Sequence, residues 1–363
     1  MTQLEYATKN MIEWLSHPSE LGHKPAKIIF CDTFILDDLK YYIFKYKDKL
    51  VGKWLLGVSG GYSGDELITS GHTYSEMKEF KEETAINEAK ELVEMVKSYL
   101  KDEANKIEER KANRGTFVGF VLLENNKFNI YDIVNNLNNM FNLNIKVNEE
   151  DLKEDVYVTS IENSILSICL MNGPIPKDEL DVAASNNYIS REYAHSVVDK
   201  HKCHIMVAVS DKKSDIRDTS LLFIKAMAAC ASFNNVFGLY ANDTIYEPRM
   251  YIDIALGINE DNSYIPIDDL VWINIVRDND MFSAYTTGLV QFGFNEIEVI
   301  DVDIDPYDLR NFVYDIVCYV IYYDVLLNDG ETIGFSEDDK HAISVGDGLY
   351  VLGKSVKINY KAN

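Results

Sequence analysis

Cysteine is sparse in this chain and never paired. Cys31, Cys169, Cys203, Cys230 and Cys318 stand singly, mostly inside apolar runs, and no CxxC spacing occurs. That pattern excludes a disulfide scaffold and implies buried, reduced thiols in a cytoplasmic protein. Proline is also rare, with 7 among 363 residues, and no low-complexity tract interrupts the chain, so a disordered or linker-like polypeptide is excluded. No apolar run approaches the length of a membrane span. The first residues, MTQLEYATKNMIEWLSHPSEL, hold early acidic residues and no continuous apolar core, so they do not read as a signal peptide. Positive charge is short as well: 35 Lys and Arg face 59 Asp and Glu, for a net charge of −24. Phosphate backbones and anionic lipid repel such a chain, which argues against nucleic acid and membrane surfaces and leaves a basic protein as the fitting partner.

What is present suits a globular protein. Hydrophobic residues make up 47%, with 23 tyrosines and 16 phenylalanines to fill cores, and the length suggests two or three domains. Residues 4–15 have the periodicity of a short amphipathic helix. KIIFCDTFIL (27–36), YYIFKY (41–46) and the run 54–58 read as strands, and residues 82–111 as a long helix whose charged end marks a boundary near 105–115. From Thr116 the pattern is strand (FVGFVLL), helix (130–141), a short strand (145–147), and a hairpin turning at Glu162-Asn163. A loop, a helix over 190–200 and a strand (HIMVAVS, 204–210) follow. That order fits a ferredoxin-like plait. LLFIKAMAACA (221–231) is apolar nearly all round, as a buried helix is, and Glu247-Pro248 opens another helix. Runs near 272–276, 283–289 and 296–300 form an antiparallel meander. The fold class is therefore α+β: plait elements plus a meander sheet, with a smaller N-terminal α+β module. The domains expected are 1–112 and 113–363, the latter divisible at 245/246.

The stretch 300–340 organises the C-terminal part. Asp305-Pro306 with Asp308 is a helix start, with a capping carboxylate, proline at the first helical position and a second carboxylate in the positive first turn. Leu309, Phe312, Val313, Ile316, Val317 and Val320 form the apolar stripe, and Asn328-Asp329-Gly330 provides a turn. Before it, Ile297, Val299, Val302 and Ile304 alternate imperfectly with Glu296, Glu298, Asp301 and Asp303, as in a strand with one wet face. The Asp301, Asp303, Asp305 spacing resembles a calcium loop, but Pro306 and Phe312 stand where that loop needs glycine and a bidentate glutamate.

Three groups of residues invite chemistry. Gly57-Val58-Ser59-Gly60-Gly61 matches the G-x-S-x-G nucleophile elbow, which would make Ser59 a hydrolase nucleophile, with His72 nearby. The following YSGDELITSGH is glycine-broken and no helix start, so a glycine turn or loop is the stronger reading. His195, His201, Cys203 and His204 are the densest metal-capable cluster, yet adjacent strand residues Cys203 and His204 point to opposite faces and zinc needs three or four converging ligands. Glu247-Arg249 and Arg277-Asp278 offer ion pairs, of which surface pairs are the common form.

MNGPIP (171–176), HKCHIMVAV (201–209) and the run DPYDLRNFVYDIVCYV…LNDGETIGFSEDDK (305–340) carry a family resemblance. In their order and spacing the chain from Thr116 onward resembles a bacterial domain-of-unknown-function family, number 4261. The resemblance implies an intracellular bacterial protein with a shared α+β fold, and it implies no activity and no cofactor. The expected function is that of a cytoplasmic, non-enzymatic protein-binding or accessory factor, in the manner of a toxin-neutralising protein. The alternatives are a hydrolase using Ser59 or a metal enzyme using His195, His201, Cys203 and His204.

Overall fold

The structure, a computed structural model, describes residues 2–16, 20–63, 72–98, 114–127, 129–148, 155–211, 215–261, 263–336 and 339–361. The chain divides into two compact units, Met1–Glu108 and Glu109–Asn363. The class is α+β.

In the first unit, helix α1 (Gln3–Leu15) is followed by strands β1 (Lys27–Leu36), β2 (Leu39–Lys47), β3 (Leu55–Ser63) and β4 (His72–Glu79), then by helix α2 (85–98). The four strands pair antiparallel in chain order. Asp37 and Asp38 both take left-handed φ in the β1–β2 turn, the geometry a two-residue hairpin needs to match strand twist. Alternation along β2 explains the layering. Tyr41 and Ile43 face Ala89, Leu92 and Val93 of α2, whereas Tyr42, Phe44 and Tyr46 face Ala7, Met11 and Leu15 of α1. A helix thus covers each side of the sheet. The tail of the expected long helix, beyond residue 98, lies outside the described residues.

The second unit runs β5 (Thr116–Leu123), α3 (Ile130–Phe141), β6 (Val156–Ile161), β7 (Ser164–Met171), α4 (Lys177–Asn186), α5 (Arg191–Lys200) and β8 (Cys203–Ser210). It continues with α6 (Ile216–Ala231), β9 (Val236–Ala241), β10 (Thr244–Tyr246), α7 (Pro248–Leu256) and α8 (Ile267–Leu270). Their sheet has the order β10-β9-β5-β8-β7-β6 and is antiparallel throughout. This corrects the plait expectation. In a plait β5 and β7 would be direct neighbours; here β8 enters between them and bonds to both, because β9 takes the outer side of β5. Residues 145–147 do not become a strand either. The Asn138 side chain accepts from Ile145 N at 2.9 Å and donates to its carbonyl at 2.8 Å, occupying the groups a ladder would use. Residues 177–186, expected as loop, form α4. Only Leu180, Ala183 and Ala184 are buried on it, too short a stripe to announce a helix.

A third sheet has the order β11-β12-β13-β16-β15-β14. Strands β11 (Trp272–Asp278), β12 (Met281–Thr287) and β13 (Glu296–Val302) form the expected meander. Helix α9 (Pro306–Tyr323) follows, capped by Asp305 Oδ1 on Tyr307 N at 2.8 Å. Short β14 (Thr332–Ile333) and the hairpin β15 (His341–Asp347) and β16 (Lys354–Asn359) close the chain, with β16 parallel to β13. Leu309, Phe312, Val313, Ile316, Val317 and Val320 of α9 are all buried and pack on this sheet.

Candidate functional site: a cleft and an uncovered sheet face

Ser59 lies in the middle of β3, opposite Tyr42 and Thr73, and is fully buried on the side that α1 covers. No strand-to-helix elbow exists there. The glycines around it are demanded by packing: a Cβ at Gly57 would run into Met11, and one at Gly60 into the Tyr41 backbone. His72 contributes backbone pairing to Gly60. Ser59 therefore stands in no elbow, and the turn or loop expected of these glycines is corrected to the middle of a strand approached closely by a helix.

The four metal candidates do not converge. His195 is exposed on α5, with Asp181 4.0 Å away. His201 accepts from Ile175 N at 3.1 Å through Nε2 and faces the Val198 carbonyl at 3.0 Å through Nδ1, stapling the end of α5 to the residues before α4. Cys203 sits in the core with Leu123, while His204 points to the other face, with Nδ1 2.8 Å from the Gly173 carbonyl and its ring edge-on to Phe120. Among the described residues no three His, Cys, Asp or Glu side chains gather as metal ligands. Arg249 and Arg277 reach Asp253 and Asp280 at 3.9 and 3.8 Å in exposed surface pairs.

What the tertiary structure does assemble is a cleft of about 620 Å³ between the second and third sheets. Its floor is Val118 and Phe120 of β5 and Tyr240 of β9; one wall is α4, with Glu179 and Val182. The β9–β10 turn supplies Asn242 and Asp243, both at left-handed φ as a two-residue hairpin requires. Tyr285 on β12, the 287–291 segment and the β15–β16 turn at Tyr350–Leu352 complete it. Two ring pairs line the space: Phe120 on Tyr240 at 5.8 Å and Tyr285 on Tyr350 at 5.3 Å, the latter within 8° of parallel.

Two carboxylates on β13, on one face because they are two residues apart, hold the third-sheet walls. Glu296 accepts from Thr286 Oγ1 (2.6 Å), Gly288 N (2.9 Å) and Val290 N (3.3 Å). Glu298, completely buried, accepts from Leu349 N (2.9 Å), Tyr350 N (2.7 Å) and Ser355 Oγ (2.8 Å). The wet strand face expected for these residues is thus corrected: both acids are buried, and each is satisfied by loop amides and a hydroxyl. Asn242 ties the β9–β10 turn to the same wall, its Oδ1 accepting from Gln291 Nε2 at 2.7 Å and its carbonyl from Thr287 Oγ1 at 2.6 Å.

The electrostatics of the cleft are one-sided. Burial, Glu179 and Asp243 push the Tyr240 hydroxyl well above the usual phenol range. Burial and Glu179 raise the Asp243 carboxyl, and burial, Asp243 and Tyr350 raise Tyr285. No Lys, Arg or His lines the cleft among the described residues. His204, on the strand beside Phe120, is pushed toward its neutral form chiefly by burial.

Beyond the cleft the same face of the second sheet lies open. Helices α4 and α5 cover its β9–β10 end through Leu122, Val197, Leu180 and Ile245. Among the described residues no such layer covers the β8-β7-β6 end. In register across the strands stand Val118, Ala208, Ser167 and Val158, then Phe120, Met206, Cys169 and Val156. Val118, Val156, Val158, Ile165 and Met171 are between 39% and 57% exposed, and none of these rows holds a charged side chain. The opposite face is closed by α3 and α6. Sequence reading did not find this surface, although the V-x-V of β6 and the I-x-S-x-C-x-M of β7 hold its outward positions.

Residues 285–359 match the model of a family described as a domain of unknown function (DUF4261). The match is narrower than the resemblance expected from Thr116 onward. It includes Tyr285, Glu296, Glu298 and Tyr350 and so the third-sheet wall of the cleft. No curated protein and no solved structure matches the chain. Among the described residues no helix is long and apolar enough to cross a membrane.

Proposed function

We propose that this chain is a non-enzymatic binding protein that receives a basic protein partner on the uncharged face of its second sheet. The observation that supports it is that face itself: Val156 and Val158 on β6, Ile165 and Met171 on the adjacent β7, and Val118 on β5 beyond β8 are substantially exposed, and the rows Val118–Val158 and Phe120–Val156 hold no charged side chain. An exposed contiguous apolar patch rimmed by polar groups is characteristic of a protein–protein interface. Its rim is acidic, with Asp155 and Glu162 at the ends of β6 and Glu179 and Asp243 at the cleft. With a net charge of −24, complementary steering favours a basic partner and disfavours nucleic acid, anionic membrane and a second copy of the chain. The five cysteines are free thiols, in keeping with a cytoplasmic setting. Masking a basic toxin is the form of this role that the charge balance favours.

The test compares affinity purification from the native cells with wild type and with the double variant Val158→Glu, Ile165→Glu. Both positions face outward, so circular dichroism remains that of the wild type. A stoichiometric basic protein recovered with wild type and at least tenfold depleted with the variant is the expected result. Recovery of the same partners on both, or of no stoichiometric protein, removes the reading.

A further inference from the structure

We infer that the cleft at the edge of this face is a guanidinium site, built to take the side chain of an arginine. The inference deepens the proposed binding role and rests on it for the source of the arginine, which is the partner protein. At several other places in the molecule an acid stands beside a cation: Lys53 at Glu79, Lys177 at Asp199, Lys354 at Asp347 and Arg310 at Asp268. In the cleft Glu179 and Asp243 line one space, and among the described residues no Lys, Arg or His lines it with them. Burial first, and the neighbouring carboxylates second, hold Tyr240 and Asp243 toward the protonated form. What the lining lacks is a positive charge.

The walls say which kind. The Tyr285–Tyr350 pair and the Phe120–Tyr240 pair present flat ring faces. A guanidinium is planar and weakly hydrated, stacks on aromatic faces and meets carboxylates through parallel N–H donors, whereas an ammonium is a compact, strongly hydrated point charge. At about 620 Å³ the space is that of a side-chain or small-ligand site. It is also held in shape before anything binds, since Glu296 and Glu298 fix both third-sheet loops and Asn242 fixes the hairpin turn. A preformed wall spares the ordering cost of binding.

The experiment titrates the full chain with Nα-acetyl-arginine amide and with the isosteric, neutral Nα-acetyl-citrulline amide, following tyrosine ring signals by NMR. The arginine probe is expected to shift Tyr240 and Tyr285 saturably and to bind at least tenfold more tightly than citrulline. Glu179→Gln combined with Asp243→Asn is expected to weaken it at least tenfold, and both side chains reach the surface, so the fold is kept. Equal binding of the two probes, or shifts confined to tyrosines outside the cleft, overturns the inference. The probes are read at the cleft tyrosines and the partner in the affinity purification, so a failed sheet-face reading and a failed cleft reading are told apart.

Discussion

Asp269 makes the core respond to pH, although no solvent touches it. It lies in α8, fully buried, and neither carboxyl oxygen has a hydrogen-bond partner. Burial first and the charge of Asp268 second raise its pKa well above the carboxylate range; the phenols of Tyr246, Tyr251 and Tyr264 surround it, and Arg310 is engaged by Asp268. A carboxyl whose folded pKa exceeds its unfolded one takes up a proton on folding. Its stability contribution is complete below the unfolded value near 4 and falls as pH climbs toward the folded value, by up to about 1.4 kcal/mol per pH unit. Asp269→Asn removes that slope. The variant is expected to lie nearest wild type around pH 4 and to gain on it steadily as the pH rises toward 8. Urea unfolding followed by Trp272 fluorescence, in a Trp14→Phe, Trp54→Phe background, checks this; parallel pH profiles would refute it. Ser59 belongs to the same scale. Its buried hydroxyl makes Ser59→Ala neutral or stabilising by up to about 1 kcal/mol, and a fluorophosphonate is expected to leave Ser59 unlabelled in the folded chain, read by peptide mass spectrometry.

Elements are placed here by buried polar groups as much as by apolar stripes. Glu298 replaces what would be three unmet donors in the β15–β16 turn and its base, and Glu296 does the same for the residues after β12. Glu298→Ala leaves Leu349 N, Tyr350 N and Ser355 Oγ without this acceptor, at a cost of about 2–4 kcal/mol. Loss of hydrogen-exchange protection at Leu349 and Tyr350, ahead of the rest of the third sheet, is the expected signature. Gly288 is under a related constraint. Its φ of 123° excludes ordinary side chains, and a Cβ would meet the Leu270 carbonyl and the Asn242 amide. Strands, caps and turns were legible because their signals are local: Asp305-Pro306, the Glu162-Asn163 turn and the branched and aromatic run of β2 each act within a few residues. Helix α4 was not legible, because three buried residues make no distinguishable period.

At the scale of the molecule, the two compact units have separate cores. Among the described residues Ala89, Val93, Tyr41 and Val58 form a core cluster of the first unit, and Phe117, Ile205, Phe223 and Val313 belong to the core of the second. Residues 114–363 expressed alone are therefore expected to fold, giving one cooperative transition by circular dichroism; a fragment without such a transition contradicts this. Among the described residues of the second unit, α4 and α5 cover one sheet at its β9–β10 end and leave the β7–β6 end exposed. Alternation in β6 and β7 shows that Val156, Val158, Ile165 and Met171 share a face. Whether a helix would cover that face is decided by where α4 and α5 pack.

Composition and local pattern by themselves determined the α+β class, the acidic surface, the capped α9 helix and the terminal hairpin, because each depends on residues near one another in the chain. Strand order, the entry of β8 between β5 and β7, the burial of Ser59, Glu296 and Glu298, and the meeting of Glu179, Tyr240, Asp243, Tyr285 and Tyr350 around one cleft were decided only by the tertiary structure. The reason is physical: hydrogen-bond ladders and desolvation act between segments far apart in the chain, as Val118 and Leu352 lining one cleft show, and no short-range periodicity encodes which of them will meet.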